Sequence, residues 1–287
     1  MILGVDVASL QGAIDWGKMA AAGVRFAYLR CTIGNEKGRD TTFARNVRDA
    51  KEAGILVGAY HFCYPLPHGG EHPAGRDPVT QARRAFAESD QLGRLPGELP
   101  PACDIEWPPQ WENDKATGQL VNQWNKWGVT AASIAAWTLA YLAEAERLWS
   151  RTPLLYTYPH FWRDLGAEGR RPEFRRYPLW IANYLHLGAG LPRPGLRPLV
   201  PGPWTEPLVW QYSANGGAHV DGCATDVDRN AFMGSEADLA LLGAGVPPDA
   251  ADTVRVLEDD GGDSRRDATS EAVVGAATEA VTERAGG

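Results

Sequence analysis

The sequence contains no long hydrophobic run. Nowhere in its 287 residues do eighteen apolar residues follow one another, the length that a membrane-spanning helix requires. The first twelve residues, MILGVDVASLQG, also lack the basic start and long apolar stretch of a secretory signal. We therefore expect no membrane insertion, and we expect the chain to be made in the cytoplasm without a signal peptide.

Dense tracts of basic residues are also missing. Binding to a phosphate backbone depends on grouped Lys and Arg side chains, whereas this chain has a formal net charge of −8. The acidic excess is uneven, because ten acidic residues and four arginines within 249–287 give that segment a net charge of −6 and leave −2 for the rest. We therefore expect no nucleic-acid partner.

Cysteine is scarce, and no two cysteines have the C-x-x-C spacing that is typical of zinc sites. We predict buried free thiols, although a disulfide between two of them stays open. His68 and His72 have i, i+4 spacing, but the neighbouring Gly and Pro residues predict a surface loop and not a ligand-bearing helix. With no G-x-G-x-x-G turn either, we expect neither a metal nor a cofactor. The four cysteines are Cys31, Cys63, Cys103 and Cys223.

Short apolar runs alternate with segments of helical periodicity along residues 1–246. The runs are apolar on both faces, as in parallel strands that helices cover, and about eight of them favour a closed α/β barrel resembling the TIM barrel. Helices are predicted over 41–54, 78–92 and 131–150, with Asp15 as the N-cap of a further one. The predicted strands are 2–8, 25–31, 55–63, 101–106, 153–158, 178–184, 208–213 and 225–230.

The composition changes after the predicted barrel. Residues 247–287 contain no aromatic side chain and are rich in Ala, Asp, Glu and Gly, so they cannot bury enough apolar surface to offset the entropy of ordering. We interpret 247–287 as an acidic tail. Val273, Ala277 and Val281 are spaced for one face of a short helix, so docking on a protein partner stays open.

Two carboxylates end the fourth predicted strand, in PACDIEWPP. Asp104 and Glu106 are two positions apart, so both point to the same face of the strand. The carboxyl ends of barrel strands are where barrel enzymes build their active sites. Two neighbouring carboxyls that repel each other's charge favour one protonated acid beside one anion, the combination that glycosidic bond cleavage requires.

Other predicted strands also end in polar and aromatic residues. Asp6 ends the first strand and Asp228 lies near the end of the last. Flat aromatic faces that cover sugar rings, with acids that hold hydroxyl groups, are typical of carbohydrate clefts. The candidate substrate-binding residues are Tyr60, His61, Arg30, Trp107, Trp180, Tyr184, Trp210, Gln211 and Tyr212.

The ordered motifs GVDVASLQGAIDW, GAYHF, DIE, PLLYTY, LWIANY, WQYS and VDRNAF span residues 2–233. In this order they resemble glycoside hydrolase family 25, the Chalaropsis-type lysozymes, which cleave the β-1,4 bond after N-acetylmuramic acid in peptidoglycan. The resemblance implies an irregular β/α barrel with fewer helices than strands. It also implies Glu106 as the general acid, Asp104 as the carboxylate that supports the reacting sugar, and Asp6 and Asp228 as flanking acids.

The chain also departs from the family pattern. In LRCTIGN, Arg30 keeps the cation of the corresponding family run, whereas Ile33 replaces an acid. The segment 107–128 is longer than expected, and its tryptophans either extend a glycan platform or pack the insert onto the barrel.

No cell-wall-binding repeat follows the barrel. We therefore expect the enzyme to reach the wall by holin-type release or by delivery in a phage or injection particle. A non-catalytic glycan-binding barrel that serves as a structural subunit of such a particle is the alternative.

Overall fold

A computed structural model of the chain describes residues 1–34, 38–65, 77–106, 111–122, 124–125, 128–185, 190–214 and 219–245. The predicted tail 247–287 and the pair His68 and His72 lie outside the described residues. The strands are β1 (Ile2–Val7), β2 (Phe26–Ile33), β3 (Leu56–Phe62), β4 (Ala102–Asp104), β5 (Trp111–Asn113), β6 (Leu120–Asn122), β7 (Leu154–Thr157), β8 (Leu179–Ala182), β9 (Val209–Ser213) and β10 (Asp228–Phe232). The described α-helices are α1 (Trp16–Ala21), α2 (Phe43–Glu52), α3 (Pro78–Glu88), α4 (Ala131–Trp149), α5 (Pro159–Asp164) and α6 (Glu236–Leu242).

Eight of these strands close into a barrel in the order β1-β10-β9-β8-β7-β4-β3-β2, while β5 and β6 form a separate hairpin. The predicted irregular α/β barrel is therefore confirmed. In the described parts of the chain, no helix combines the length and the apolar composition needed to span a bilayer.

The last barrel strand runs against the others. β10 pairs antiparallel with both β1 and β9, so the expectation of an all-parallel barrel is wrong for this strand. The predicted strand 225–230 is also displaced, since β10 begins only at Asp228. Its reversed direction nevertheless places Asp228 at the barrel end where the parallel strands finish, because Asp6 pairs with Asp228. Fourteen residues join β9 to β10, a length that permits either a parallel or an antiparallel return, so the connection length does not decide the direction of β10.

Side chains alternate between the barrel interior and the helix layer, with register shifts between Arg30 and Thr32 in β2 and between Arg229 and Asn230 in β10. Phe26, Tyr28, Trp180 and Phe232 fill the interior, and Tyr28 and Trp180 contact each other with ring centroids 4.8 Å apart. The ring of Phe26 occupies the space beside Gly4, where an added Cβ would lie 2.3 Å from it. A packed aromatic floor therefore closes the barrel beneath its carboxyl end.

Helices cover the outer face of the strands because their apolar residues recur at helical spacing. The longest, α4, begins at a capping box in which Thr130 Oγ1 accepts from the Ser133 amide at 3.1 Å, and it packs against α3. The predicted N-cap at Asp15 is confirmed, since its carboxylate accepts from the Lys18 amide at 3.0 Å. The predicted helices 41–54, 78–92 and 131–150 correspond to α2, α3 and α4.

The four cysteines are buried and free. Cys63, directly after β3, and Cys103, on the neighbouring β4, have their Sγ atoms 3.5 Å apart, well beyond the 2.05 Å of a disulfide. Burial raises the pKa of the Cys63 thiol well above its ordinary value. The predicted free thiols are confirmed in this structure.

Candidate active site

The carboxyl end of the barrel opens into a cleft that carries four acidic side chains. Asp6, Asp104, Glu106 and Asp228 all line it, so the structure brings together the four acids predicted from the sequence. Asp6, Asp104 and Asp228 lie on β1, β4 and β10, whose inward-facing positions reach the same barrel end. Glu106 lies two residues after β4, which is shorter than the predicted strand 101–106. Among the described residues, no group of three or more His, Cys, Asp or Glu side chains is arranged to hold a metal ion.

Asp104 and Glu106 lie at the end of β4 with different surroundings. Asp104 is buried, and its Oδ1 has no hydrogen-bond partner among the described residues. Burial, and then the charge of Glu106, raise the pKa of Asp104 well above its ordinary value. Burial and the charge of Asp6 raise the pKa of Glu106 to about 7. Glu106 is therefore able to hold a proton near neutral pH.

Asp6 is held by two amides. Its Oδ2 accepts from Gln211 Nε2 at 2.8 Å and from Asn230 Nδ2 at 2.7 Å. Trp180 Nε1 donates to Asn230 Oδ1 at 2.8 Å and so fixes which way that amide points. Burial raises the pKa of Asp6 to about 6, and the two amide donors oppose that rise. Asp6 is therefore better suited to hold a negative charge than its neighbours in the cleft.

Gln211 connects both sides of the cleft. Its Oε1 accepts from Tyr156 Oη at 3.0 Å and from Tyr184 Oη at 2.7 Å, which leaves Nε2 to face Asp6 and Asp228. Burial, followed by the charges of Asp6 and Glu106, raises the pKa of Asp228 to about 8. Asp228 is therefore mostly protonated at neutral pH.

Arg30 also lines the cleft, as predicted, but its charge is already paired. Its Nη2 lies 2.8 Å from Asp40 Oδ2 and donates to Ser9 Oγ at 3.2 Å. Asp40, which the sequence did not single out, thus fixes the position of the guanidinium. Among the described residues, the cleft consequently contains four acids and one cation, and Asp40, outside the acid cluster, neutralises that cation.

The structure brings only some of the predicted aromatic residues to the cleft. Tyr60 and Trp180 line it, and Tyr184 lies at its rim with half of its surface exposed. Trp180 is almost fully buried, so it forms the floor and not an open platform. Tyr156, Asn230 and Leu10 were missed, although the motifs PLLYTY and VDRNAF contain the first two at inward-facing positions.

Three predicted residues point away from the cleft because they have the opposite strand parity, that is, they occupy the alternate strand positions whose side chains face the helix layer. His61 stacks on Tyr141 and bonds Thr32 and Gln81, at 2.7 and 3.0 Å, and burial lowers its pKa to about 4. Trp210 and Tyr212 are buried in the outer core. His61, Trp210 and Tyr212 are therefore not brought into contact with the cleft.

The tryptophans of the inserted segment 107–128 differ in how far they are buried. Trp107 and Trp127 lie outside the described residues. Trp124 is buried against Phe161 of α5, whereas Trp111 on the β5–β6 hairpin is 49 % exposed. Packing of the insert onto the barrel is thus established for Trp124 alone.

Comparison with known proteins agrees with this geometry. The model of the glycosyl hydrolases family 25 matches residues 5–220, which is most of the chain. The chain belongs to glycosyl hydrolase family 25. A "Lysozyme M1" from Streptomyces globisporus is 30% identical over 84% of this chain and 71% of its own length. An "N,O-diacetylmuramidase" from Chalaropsis sp is 25% identical over 85% of this chain and 100% of its own.

A solved structure has the same architecture. The bacterial lysozyme from Streptomyces coelicolor superposes with a TM-score of 0.66 at 29% identity and covers 85% of this chain and 97% of its own. As a family 25 member with this barrel, the chain is a glycoside hydrolase. Its cleft combines a protonated acid with a neighbouring carboxyl, which suits acid-catalysed cleavage of a glycosidic bond.

Proposed function

We propose that the chain is a lysozyme that cleaves the β-1,4 bond between N-acetylmuramic acid and N-acetylglucosamine in peptidoglycan. The observation that carries this proposal is the pair of carboxyls of Asp104, at the end of β4, and Glu106, two residues later, at the mouth of a barrel with an aromatic floor. A barrel that only binds glycan has no need of an acid whose pKa is raised to about 7, so catalysis is favoured over binding alone.

The test is the identity of the new chain ends. Isolated bacterial walls are expected to lose turbidity with the protein, and borohydride reduction of the products is expected to convert muramic acid to its alditol. Reduced glucosamine ends, or release of peptide without new reducing ends, would contradict the proposed bond.

In the proposed mechanism, Glu106 is the general acid. It donates its proton to the glycosidic oxygen as the bond breaks, while the carbonyl oxygen of the substrate's 2-acetamido group attacks the anomeric carbon. Water then opens the cyclic intermediate and returns a proton to Glu106. Once Glu106 is protonated, its charge no longer opposes ionisation of Asp104, so one acid and one anion coexist.

Asp104 is proposed to hold the acetamido N–H. A buried oxygen without a partner in the free protein is uncommon, and Asp104 Oδ1 is such an acceptor among the described residues. An acetamido nitrogen that becomes positive in the transition state would meet this carboxylate. Asp6, fixed by Gln211 and Asn230, and the mostly protonated Asp228 are proposed to hold sugar hydroxyl groups on the other side of the cleft.

Activity is predicted to fall above neutral pH. Because the pKa of Glu106 is about 7, kcat/KM should decrease close to tenfold for each pH unit above about 7.5, as the proton donor is lost. A pH-rate profile on soluble peptidoglycan fragments checks this. Asp228→Asn serves as the control, since Asp228 has a pKa of about 8. If that variant removes the alkaline limb, the limb belongs to Asp228 and not to Glu106.

The profile needs a fold check at each pH. Asp6, Glu106 and Asp228 have a higher pKa in the folded protein than the value of about 4 in the unfolded chain. Their protonation therefore stabilises the folded state fully below a pH of about 4, and this stabilisation is lost as the pH rises through their folded-state pKa values. Circular dichroism at each pH therefore separates loss of the proton donor from loss of the fold.

Deletion of 249–287 is predicted to leave hydrolysis of soluble fragments and barrel stability unchanged, because this segment offers the barrel no aromatic side chain. Its proposed role is docking on a partner in a phage or injection particle, which the isolated enzyme does not need. Thermal melting with an activity assay checks this. A melting temperature lowered by more than about 5 °C would mean that the tail packs on the barrel.

Deletion of 235–287 is the matched control for the tail. It also removes α6, whose Leu239 is buried in the barrel-interior cluster. This longer deletion should lower the melting temperature by more than about 5 °C, because the buried Leu239 is lost with it.

A further inference from the structure

A second cavity lies next to the catalytic cleft. It has a volume of about 490 Å³ and is bordered by α5 and by the segment after β8, with His160, Arg163, Asn183 and Tyr184 in its lining. Glu106 lines both this cavity and the cleft. A glycan whose scissile oxygen lies at Glu106 therefore has this cavity within reach of its substituents.

Most polar groups of the second cavity already have partners. Asn183 Oδ1 accepts from the Leu199 amide at 2.8 Å, and the Tyr184 hydroxyl donates to Gln211. His160 Nδ1 lies 3.5 Å from Asp164 Oδ2. Arg163 is exposed on α5, and its guanidinium pairs with no acidic side chain in the described parts of the chain.

The two spaces thus differ in the charge that they offer a ligand. Among the described residues, the catalytic cleft holds four acids, and its cation, Arg30, is paired with Asp40. Of these acids, Asp6 is the best suited to hold a negative charge, whereas burial favours the protonated forms of Glu106 and Asp228 near neutral pH. The second cavity holds the cation of Arg163, which pairs with no acid in the described parts of the chain, and it shares Glu106 with the cleft. An anionic substituent is therefore better placed beside Arg163 than in the cleft, where it meets the charge of Asp6 and a cation already paired with Asp40.

The substrate carries such anions if the proposed function is correct, and this inference rests on it. Every muramic acid bears a lactyl ether, and in the intact wall that ether carries a peptide stem with free carboxylates. We propose that Arg163 is a specificity-determining residue that pairs with a carboxylate on the lactyl substituent of muramic acid and so directs this substituent into the second cavity. A guanidinium forms paired hydrogen bonds with a carboxylate, which favours one orientation of the glycan in the cleft.

The experiment compares Arg163→Gln with wild type on three soluble glycan preparations. The first has intact stems, the second has its carboxylates converted to neutral methylamides, and the third has its stems removed by an amidase so that the lactyl carboxylate is free. On intact stems, Arg163→Gln is expected to raise KM about two- to fivefold with kcat unchanged, the effect of losing one exposed ion pair. On the neutralised glycan the two proteins should have equal KM values.

The third preparation separates the two sources of the carboxylate. If the rise in KM persists on the stripped glycan, Arg163 also pairs with the lactyl carboxylate. If it disappears there, the partner is a carboxylate of the stem.

Two further variants test whether charge is the cause. Arg163→Lys keeps the cation and should stay within about twofold of wild type on intact stems. Arg175→Gln removes an exposed arginine from the cavity at the start of β8, at the opposite end of the barrel, and should leave KM unchanged.

Three results would overturn the inference: an unchanged KM for Arg163→Gln on intact stems, an equal rise on the neutralised glycan, or an equal rise for Arg175→Gln. Wild-type protein that cleaves none of the three preparations would instead contradict the proposed function. If the wild type cleaves the glycans but Arg163→Gln shows no difference in KM from the wild type on intact stems, only the proposed role of Arg163 is contradicted.

Discussion

Replacing Glu106 with glutamine is expected to lower kcat on soluble peptidoglycan by about 10² to 10⁴ while the fold stays intact. The amide has the shape of the protonated acid but cannot deliver its proton to the leaving oxygen. Because burial already keeps Glu106 protonated up to a pH of about 7, the substitution changes little charge in the folded protein. Steady-state kinetics with a thermal melt measure both effects.

Glu206→Gln is the matched control for this substitution. Glu206 lines the cavity at the opposite end of the barrel, so its variant should keep wild-type kcat. A folded Glu106→Gln protein with near-wild-type activity would contradict the assignment of the general acid. Substrate affinity should change little, since the amide fills the same space beside the cleft.

The fold was predictable from the sequence because its strands are apolar on both faces and regularly spaced. The four acids were predictable for a related reason, since barrel strands end at a common edge and Asp104 and Glu106 are only two residues apart. The predicted strand 101–106 was too long, because β4 ends at Asp104 and Glu106 lies beyond it. The direction of β10 was not predictable in this way. A short apolar run does not specify the direction of its strand, and the fourteen-residue connection from β9 is long enough for either direction.

The positions of the candidate substrate-binding residues were predicted less well than those of the acids. Neighbouring residues of a motif were both counted as candidates, although only alternate residues of a strand face the barrel interior. In WQYS, Gln211 lines the cleft, whereas its neighbours Trp210 and Tyr212 have the opposite parity and pack outward. The same alternation separates Tyr60 from His61. Strand parity applied to each motif would have excluded the three outward-facing residues.

Other site residues depend on contacts between distant parts of the chain. Gln211 joins Tyr156, Tyr184 and Asp6 through hydrogen bonds across three different strands or loops. Asp40 fixes Arg30 from a segment that no motif includes. Periodicity and spacing describe neighbours along one element, so they contain no information about these partners.

Asp104→Asn is expected to lower kcat by about 10² to 10³ with a smaller effect on KM, because positive charge develops on the acetamido nitrogen only near the transition state. The amide keeps the volume of Asp104, which is buried, and its Oδ1 has no partner to lose among the described residues, so folding should be little affected. Asp221→Asn, at an exposed site, is the control for the substitution itself.

The same variant pair tests the stereochemistry that Asp104 is proposed to support. Asp104 ends β4 and Glu106 follows it by two residues, so their Cα atoms are at most about 7 Å apart on one side of the cleft. An inverting enzyme instead places its two carboxyls across the sugar with a water between them. We therefore expect retention, with acetamido participation, and NMR of the first-formed product should show the β anomer. An initial α anomer would rule out retention. A glycosyl ester trapped on Asp228 or Asp104 would instead show that a carboxylate, and not the acetamido group, is the nucleophile. If the ester forms on Asp104, Asp104→Asn loses activity because the covalent bond cannot form, and not because a stabilising charge is missing.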